Sequence, residues 1–338
     1  METRKVQVTG GSTYTVSLPK DWATDHEIDA GSEVELHPEA ESLLLVPRQR
    51  QDNTRGRLDI TELTGGDLAR GIVTMYVSGF DLIELKTDTI DPDQRRVIRD
   101  ATQTLVGVEV IEETGKHILL QDLLDSSELS VHNAITRMRL IALTMLTDAV
   151  RSVEENDDEL AADVFERDDD VDRLWFLVSR VFRSVLRDPS AAAAIGMSRE
   201  TCFDYHSSAR QLERIADHAA KIANLSMDLG DVPPGITDSL AELHSDANEI
   251  IDRAMEALLE EDSGRAIELA NEARDAVTDI DDRTRAIDEL IREGADPTQA
   301  QLLGLIADSL SRTADYGGNI AETALQKAAP TPGPGGGL

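Results

Sequence analysis

The sequence predicts a mainly α protein: a tandem pair of three-helix bundles, preceded by a small β-rich domain and a short α/β connector. Three observations predict this. Residues 212–223 recur at 310–321, with Leu, Arg, Ala, Asp, Ile and Ala at the same places and a constant offset of 98. A period that long exceeds a solenoid unit and points to duplication of a whole bundle. Between Ser130 and Lys327 the apolar residues step by three and four, whereas before residue 47 they alternate with polar ones.

Residues 4–47 read as strand, strand, short helix, strand, strand. Val6 and Val8, then Tyr14, Val16 and Leu18, alternate with polar residues around a Gly10-Gly11-Ser12 turn. Pro19 can open a short helix running to Ile28. Ala30-Gly31 then returns the chain to Val34-Glu35-Leu36, a turn at Pro38-Glu39, and Leu43-Leu44-Leu45-Val46. Fewer than about 50 residues make a poor core, so this unit is expected to dimerise or to lean on a neighbour. It resembles the AbrB/SpoVT swapped-hairpin domain over residues 1–50. The resemblance lies in the basic pair Arg4-Lys5, in Leu18-Pro19 before the short helix, and in Ile28-Asp29-Ala30-Gly31-Ser32-Glu33-Val34. It implies an intertwined dimer that binds DNA as a transcriptional regulator, with basic residues on the hairpin face. Many members carry a basic residue in the turn that here reads Gly10-Gly11-Ser12, so dimerisation alone stays open beside DNA contact.

Residues 56–125 alternate helix and strand. Residues 68–78 read as helix, 81–85 as strand and 92–105 as helix. Val108-Glu109-Val110-Ile111 and His117-Ile118-Leu119-Leu120 flank Glu113-Thr114-Gly115, a hairpin signal. Nothing in this connector has catalytic spacing, and Arg95, Arg96 and Arg99 read as a solvated helix face.

The helical half spans 126–328. Val131, Ile135, Met138, Ala142, Met145 and Ala149 form the first seam, with Ser130 as N-cap. Leu160, Val164, Val171, Leu174, Val178, Val181 and Val185 form the second, interrupted by Arg167. Ala209, Leu212, Ala216, Ala219 and Ala223 form the third. Three more helices follow, over 236–259, 266–291 and 302–325. Asp188-Pro189 and Asp296-Pro297 break the second and fifth at comparable places. Residues 329–338, rich in Pro and Gly, read as a disordered tail.

Composition bounds the setting. The chain has 66 acidic and 33 basic residues, net -33, with six Lys against 27 Arg. Such a charge opposes approach to nucleic acid, yet high salt screens it within about 3 Å at 1 M. Many acids, few Lys and few aromatics point to a salt-loving cytoplasm, as in a halophilic archaeon. Residues 1–57 are the least acidic region, with seven basic and ten acidic residues. Arg4, Lys5, Lys20, Arg48, Arg50, Arg55 and Arg57 are the only phosphate-facing set it offers; Arg48 to Arg57 also read as a polar linker. The single cysteine, Cys202, excludes an internal disulfide and fits a reducing compartment. With no apolar run near the roughly 18 residues that span a bilayer, and no signal-peptide core after Lys5, a cytoplasmic protein is expected.

Two acidic pairs stand out. Glu213 and Asp217 lie four apart on one helix face, as do Asp168 and Asp172 on the preceding helix. Each pair sits one position beyond a seam residue, so neighbouring helices would gather four carboxylates along one groove. All-oxygen ligands suit hard cations, and a carboxylate cluster also holds Fe or Mn. With about a fifth of residues acidic, spacing alone is weak evidence. Only Glu213/Asp217 is embedded in the repeated template.

That template, Leu212-Glu213-Arg214-Ile215-Ala216-Asp217-His218 running on to Lys221-Ile222-Ala223, resembles the signature of PhoU proteins. The resemblance covers about 200 residues, 130–327, including the duplication. It implies tandem three-helix bundles whose carboxylates hold metal ions, in cytoplasmic negative regulators of phosphate transport and signalling. By position, Glu213 and Asp217 would be ligands, with Asp168 and Asp172 the partner motif, for an ion such as Fe, Mn, Mg or Zn. In the second copy Ser311 replaces the Glu and leaves Asp315. Counting from helix starts sets Ala273 and Val277 opposite Asp168 and Asp172, whereas a shift of two recruits Asp275 and Asp279; a weaker or lost second site is expected.

His218 and His206 read as helix-surface residues, although His218 also suits a role supporting Asp217. Cys202 and Trp175 read as packing. There is no phosphate-cradling Gly loop, zinc spacing or nucleophile–base pair, so no enzyme is expected. The leading expectation is a phosphate-responsive transcriptional regulator. It would bind DNA as a homodimer or higher homo-oligomer and sense through a metal-binding bundle. The alternative is an accessory protein that restrains a phosphate transporter ATPase or a signalling kinase by contact, with the N-terminal domain serving only dimerisation.

Overall fold

A computed structural model describes residues 3–39, 42–47, 54–124 and 130–330. Arg48, Arg50 and the tail from 331 lie outside the described residues. Two compact units are present, Met1–Asn53 and Thr54–Leu338.

The first unit follows the alternation. Strands β1 (Gln7–Thr9) and β2 (Thr13–Thr15) pair antiparallel across the glycine turn, with Val8 opposite Tyr14. Helix α1 (Lys20–Asp25) starts after Pro19. Strands β3 (Val34–Glu39) and β4 (Ser42–Pro47) form a second antiparallel hairpin. None of this unit's described residues is buried. Val8 is 62% exposed and Tyr14 78%, with Val6, Val16, Leu36 and Leu43 also open. Two hairpins whose apolar faces stay wet do not make a core, so this unit is built to be covered. Replacing Val8 and Tyr14 with Asp is expected to convert a dimer to monomer in sedimentation velocity while the helical unit stays folded by circular dichroism.

The second unit opens with a four-stranded sheet, order β5-β6-β8-β7. Strand β5 (Arg55–Asp59) runs parallel to β6 (Leu82–Lys86); β8 (His117–Asp122) pairs antiparallel with β6 and with β7 (Val108–Glu113). Helices α2 (Gly65–Val77) and α3 (Pro92–Gln103) contribute Leu68, Ile72, Tyr76 and Ile98 to a core with Ile83, Leu85, Ile118 and Leu120. The Arg-Gly-Arg-Leu-Asp stretch reads as linker, yet it is β5. A Cβ on Gly56 would lie 2.3 Å from the Met75 side chain and 2.9 Å from the Phe80 ring, so the strand meets α2 through a bare backbone. Arg55 and Arg57, counted among the phosphate-facing residues, are engaged instead. They reach Glu84 on β6 at 3.3 and 3.0 Å, beside Lys86 at 2.9 Å. Led by the Lys86 contact, these cations hold the Glu84 carboxyl down at about 2.

The bundles follow. Helices α4 (Val131–Glu155), α5 (Asp158–Arg187) and α7 (Arg199–Ser226) form the first, with a short α6 (Pro189–Ala194) at the turn. Ser130 caps α4 and Asp157 caps α5 through their side chains. Arg167, the polar interruption of the second seam, bonds Asp148 of α4 at 2.8 Å. Helices α8 (Pro234–Leu259), α9 (Ser263–Val277), α10 (Ile280–Gly294) and α11 (Pro297–Ala328) form the second. The helix expected over 266–291 is thus broken at 278–279. Thr278 donates its hydroxyl to the Asp275 carbonyl at 2.7 Å, offering the backbone a turn in place of a helical bond.

Helices α7 and α11 cross antiparallel about a local pseudo-two-fold. His218 and Tyr316, equivalent positions of the two copies, meet with ring centroids 5.6 Å apart. Beside them, Asn319 reaches Gln211 at 3.3 Å and Arg214 covers the Tyr316 ring at 5.6 Å. Helices α8 and α11 also pack closely. A Cβ on Gly317 would lie 2.9 Å from Ile250 and 3.2 Å from the Ile251 backbone. Gly317→Ala is therefore expected to cost about 1–3 kcal/mol through overpacking, read by urea denaturation. Among the described residues no helix is long and apolar enough to cross a membrane.

Candidate metal centre in the first bundle

Helices α5 and α7 pack antiparallel and line a groove. At one end Asp168 and Asp172 of α5 face Glu213 and Asp217 of α7, close enough for their charges to act on one another. Burial, then the charges of Asp172 and Asp217, push Asp168 up to about 7. Burial and Asp217 push Asp172 to about 6. Burial and Asp217 push Glu213 to about 7, against the pull of Arg210. Asp217 is raised by burial while Arg210 and Arg214 pull it down. The four predicted residues thus lie along one stretch of the α5/α7 pair, within range of one another's charge.

Glu213 is 8% exposed. One of its oxygens accepts from Arg210 Nη1 at 2.6 Å; the other, Oε2, is buried with no hydrogen-bond partner among the described residues. A buried ionised carboxylate oxygen without a donor is costly, and either a proton or a cation relieves that cost. The side chains themselves stand apart: among the described residues no three His, Cys, Asp or Glu groups converge closely enough to hold an ion. The donor set is all oxygen and suits a hard cation, which the repulsion within the groove would favour.

Sequence reasoning missed Arg210, the groove's internal counter-charge. It lies three residues before Glu213 on the same helix face, which is the signal that would have found it. Its guanidinium covers the Trp175 ring at 5.3 Å, and Trp175 packs half-buried against the bundle core, as expected. His206 is half-buried at the helix surface, where it stacks on Phe182 at 4.4 Å, and burial lowers it to about 4. His218 faces Tyr316 across the pseudo-two-fold rather than serving Asp217. Cys202 is buried in the core.

The second copy differs. Asp315 faces α10, where a cavity of about 300 Å³ gathers Asp281 and Asp288 with Asp308, Arg285 and Arg312. Burial raises Asp315, Arg312 opposes, and the charges of Asp281 and Asp308 add to the rise. Asp275 is exposed on α9, and Asp279 lines a separate hollow with Asp246 and Arg283. Asp275 precedes the break after α9 and Asp279 lies in it, whereas Asp281, in the first turn of α10, lines the cavity with Asp315. Ala273 is buried and Val277 packs beside Gly318. Arg312 sits 3.6 Å from Asp315 and 3.9 Å from Asp308, so an arginine occupies this groove.

Tandem helical bundles related by a local pseudo-two-fold, with carboxylates gathered on α5 and α7 of the first, define the class of fold. The PhoU domain model matches residues 135–226 and 240–324, and the chain belongs to the PhoU family. Residues 7–52 match the model for antidote-toxin recognition MazE, a bacterial antitoxin; the first unit is MazE/AbrB-like. Among solved structures, PhoU from Pseudomonas aeruginosa is similar, with a TM-score of 0.50 and 23% identity over 59% of this chain and 96% of that one. The phosphate transport system regulatory protein PhoU from Streptococcus pneumoniae follows with 0.48 and 18%, over 58% and 91%. The likeness to the Pseudomonas aeruginosa protein shows the fold. No curated protein matches the sequence.

Proposed function

We propose that this chain is a phosphate-responsive transcriptional regulator, in which a DNA-binding dimer of the first unit is governed by a metal-binding PhoU bundle. The observation that carries the reading is the first unit itself: MazE/AbrB-like, without a buried residue, and bearing the exposed cations Lys5 and Lys20 beside Arg4. Arg48 and Arg50, outside the described residues, are the other basic residues this reading assigns to DNA. In the bundle, Asp168, Asp172, Glu213 and Asp217 would hold the ion. The set suits Mg, Mn or Fe better than Zn, which favours nitrogen and sulfur. A bound cation supplies positive charge that draws α5 and α7 together; Arg210 does part of that work without it.

The α/β region gives the bundle a path toward the N-terminus. Arg180 of α5, 7% exposed, donates to the carbonyls of Tyr76 and Phe80 at 2.7 and 3.1 Å. It also pairs with Asp122 and Asp81 at 2.7 and 2.9 Å. In this reading a change in α5 at Asp168 and Asp172 would reach the sheet through Arg180. Selection of genomic fragments by the full-length protein tests the function: an enriched common sequence is expected, and no enrichment at any salt or metal concentration overturns it.

The net charge of -33 favours a second reading, an accessory protein that restrains a phosphate transporter ATPase or a signalling kinase while the first unit only dimerises. Deleting residues 1–50 separates the two. Retained capture of transporter subunits with unchanged transcription favours the second.

A further inference from the structure

The groove between α5 and α7 has two unlike halves. Beyond the carboxylates it becomes aromatic and cationic. Trp175 and His206 lie 4.9 Å apart, Phe182 stacks on His206 at 4.4 Å, and Phe182 and Phe203 lie 6.0 Å apart. Phe203 is 52% exposed, and Leu186, one turn beyond Phe182, is 51% exposed. Large apolar side chains left this open beside one another mark a contact surface more than a scatter of single residues.

Along α5 the charge here is opposite to that of the molecule, while α7 carries the exposed Glu200 one turn before Phe203. From 173 to 187, α5 carries four arginines and no acidic residue, in a chain with twice as many acids as bases. Arg180 and Arg187 turn to the α/β region, where Arg187 donates to the Ser78 carbonyl. Arg183 stays exposed beside the groove, near enough to His206 to act on it, and makes no ion pair among the described residues. At about 0.15 M salt the screening length is about 8 Å, so an approaching segment responds to these local cations rather than to the net charge.

We propose that this aromatic and cationic half of the α5/α7 groove is the docking face for an acidic, amphipathic helical segment of another protein. Its apolar side chains, one turn apart, would cover Phe182, Leu186 and Phe203, and its carboxylates would meet Arg183. Such a segment matches the helix-in-groove mode of recognition. A second copy fits worse, because an isologous contact sets the patch against itself and brings Arg183 toward another Arg183. The site adjoins the carboxylates through Arg210, which covers Trp175 and bonds Glu213, but it depends on neither metal nor DNA.

The test uses the full-length protein and two fluorescein-labelled helical peptides with the same Leu/Phe pattern, one with Glu and one with Lys at the remaining positions. Anisotropy is expected to show the Glu peptide binding at least about ten-fold more tightly. Phe203→Ser/Leu186→Ser is expected to weaken it about ten-fold or more, and Arg183→Glu to reverse the preference. Unchanged circular dichroism and sedimentation of the variants confirm that the fold persists. Equal binding of the two peptides, or unchanged binding by the variants, overturns the proposal. A wild-type oligomer that Phe203→Ser/Leu186→Ser dissociates overturns it in favour of a second copy.

Discussion

Glu213→Ala/Asp217→Ala protein is expected to bind divalent metal at least about 100-fold more weakly than wild type. Even outer-shell partners of a metal cost about 10–100-fold when removed, and these two supply half of the carboxylates in the groove. Isothermal titration calorimetry and elemental analysis read the loss; equal metal content in both proteins contradicts the assignment. A pH profile sharpens the test. Asp168 and Glu213 are raised to about 7 and Asp172 to about 6. Metal needs these groups ionised, so affinity is expected to fall as pH drops from 7.5 to 5, with protons released on binding near pH 6.5. The sign for stability runs the other way. These folded-state values lie above those of the unfolded chain, so between about pH 4 and 7 the folded protein keeps protons that the unfolded chain loses. Metal-free protein therefore loses stability from this cluster as pH rises through that window. Metal is expected to raise Tm at pH 7.5 and to change it little at pH 5. An equal Tm rise at both values contradicts the cluster's role.

Arg180→Met is expected to destabilise the second unit by about 3–5 kcal/mol in urea denaturation, the cost of stranding a buried charge. The Arg180 and Asp122 side chains are 8% and 7% exposed. Burial already raises the Asp122 carboxyl, and Arg180 is the main force holding it down. Without the arginine, Asp122 loses its partner and the Tyr76 carbonyl loses a donor. Arg180→Lys is not conservative here, because a single ammonium cannot serve two carbonyls and two carboxylates as a planar fork does. Asp122→Asn added to Arg180→Met is expected to recover part of the loss, which a double-mutant cycle measures. A loss below about 1 kcal/mol for Arg180→Met would show that the α/β region is not held to α5 by this contact.

Long periodic segments were legible in the sequence because each buries one stripe. The seam over 131–149 is α4, and the alternation before residue 47 is two hairpins and a short helix. The α/β region yielded α2, α3 and the β7–β8 pair, but β5 was hidden because Gly56 buries no side chain and Arg55 and Arg57 mimic a linker. The break between α9 and α10 was hidden as well, since Thr278 turns the chain through its own hydroxyl without a Gly or Pro. At the site, repeat and spacing placed four carboxylates together. They could not show Arg210 among them, nor that Asp281 replaces Asp275 and Asp279 opposite Asp315. Those facts depend on how helices pack, and a one-residue change in a helix break re-aims every side chain after it.

The account's central claim is that bundle and DNA-binding unit act as one regulator, so that occupancy of the α5/α7 groove changes DNA affinity. Linkage requires a ligand that distinguishes two arrangements, with coupling typically of about 1–3 kcal/mol. The direct measurement is fluorescence anisotropy of the full-length protein on its selected DNA site, with and without metal, beside Glu213→Ala/Asp217→Ala. The account predicts an affinity change of about 5–150-fold on adding metal to wild type and none in the double variant. Equal affinity of metal-bound and metal-free wild type for that site would contradict it.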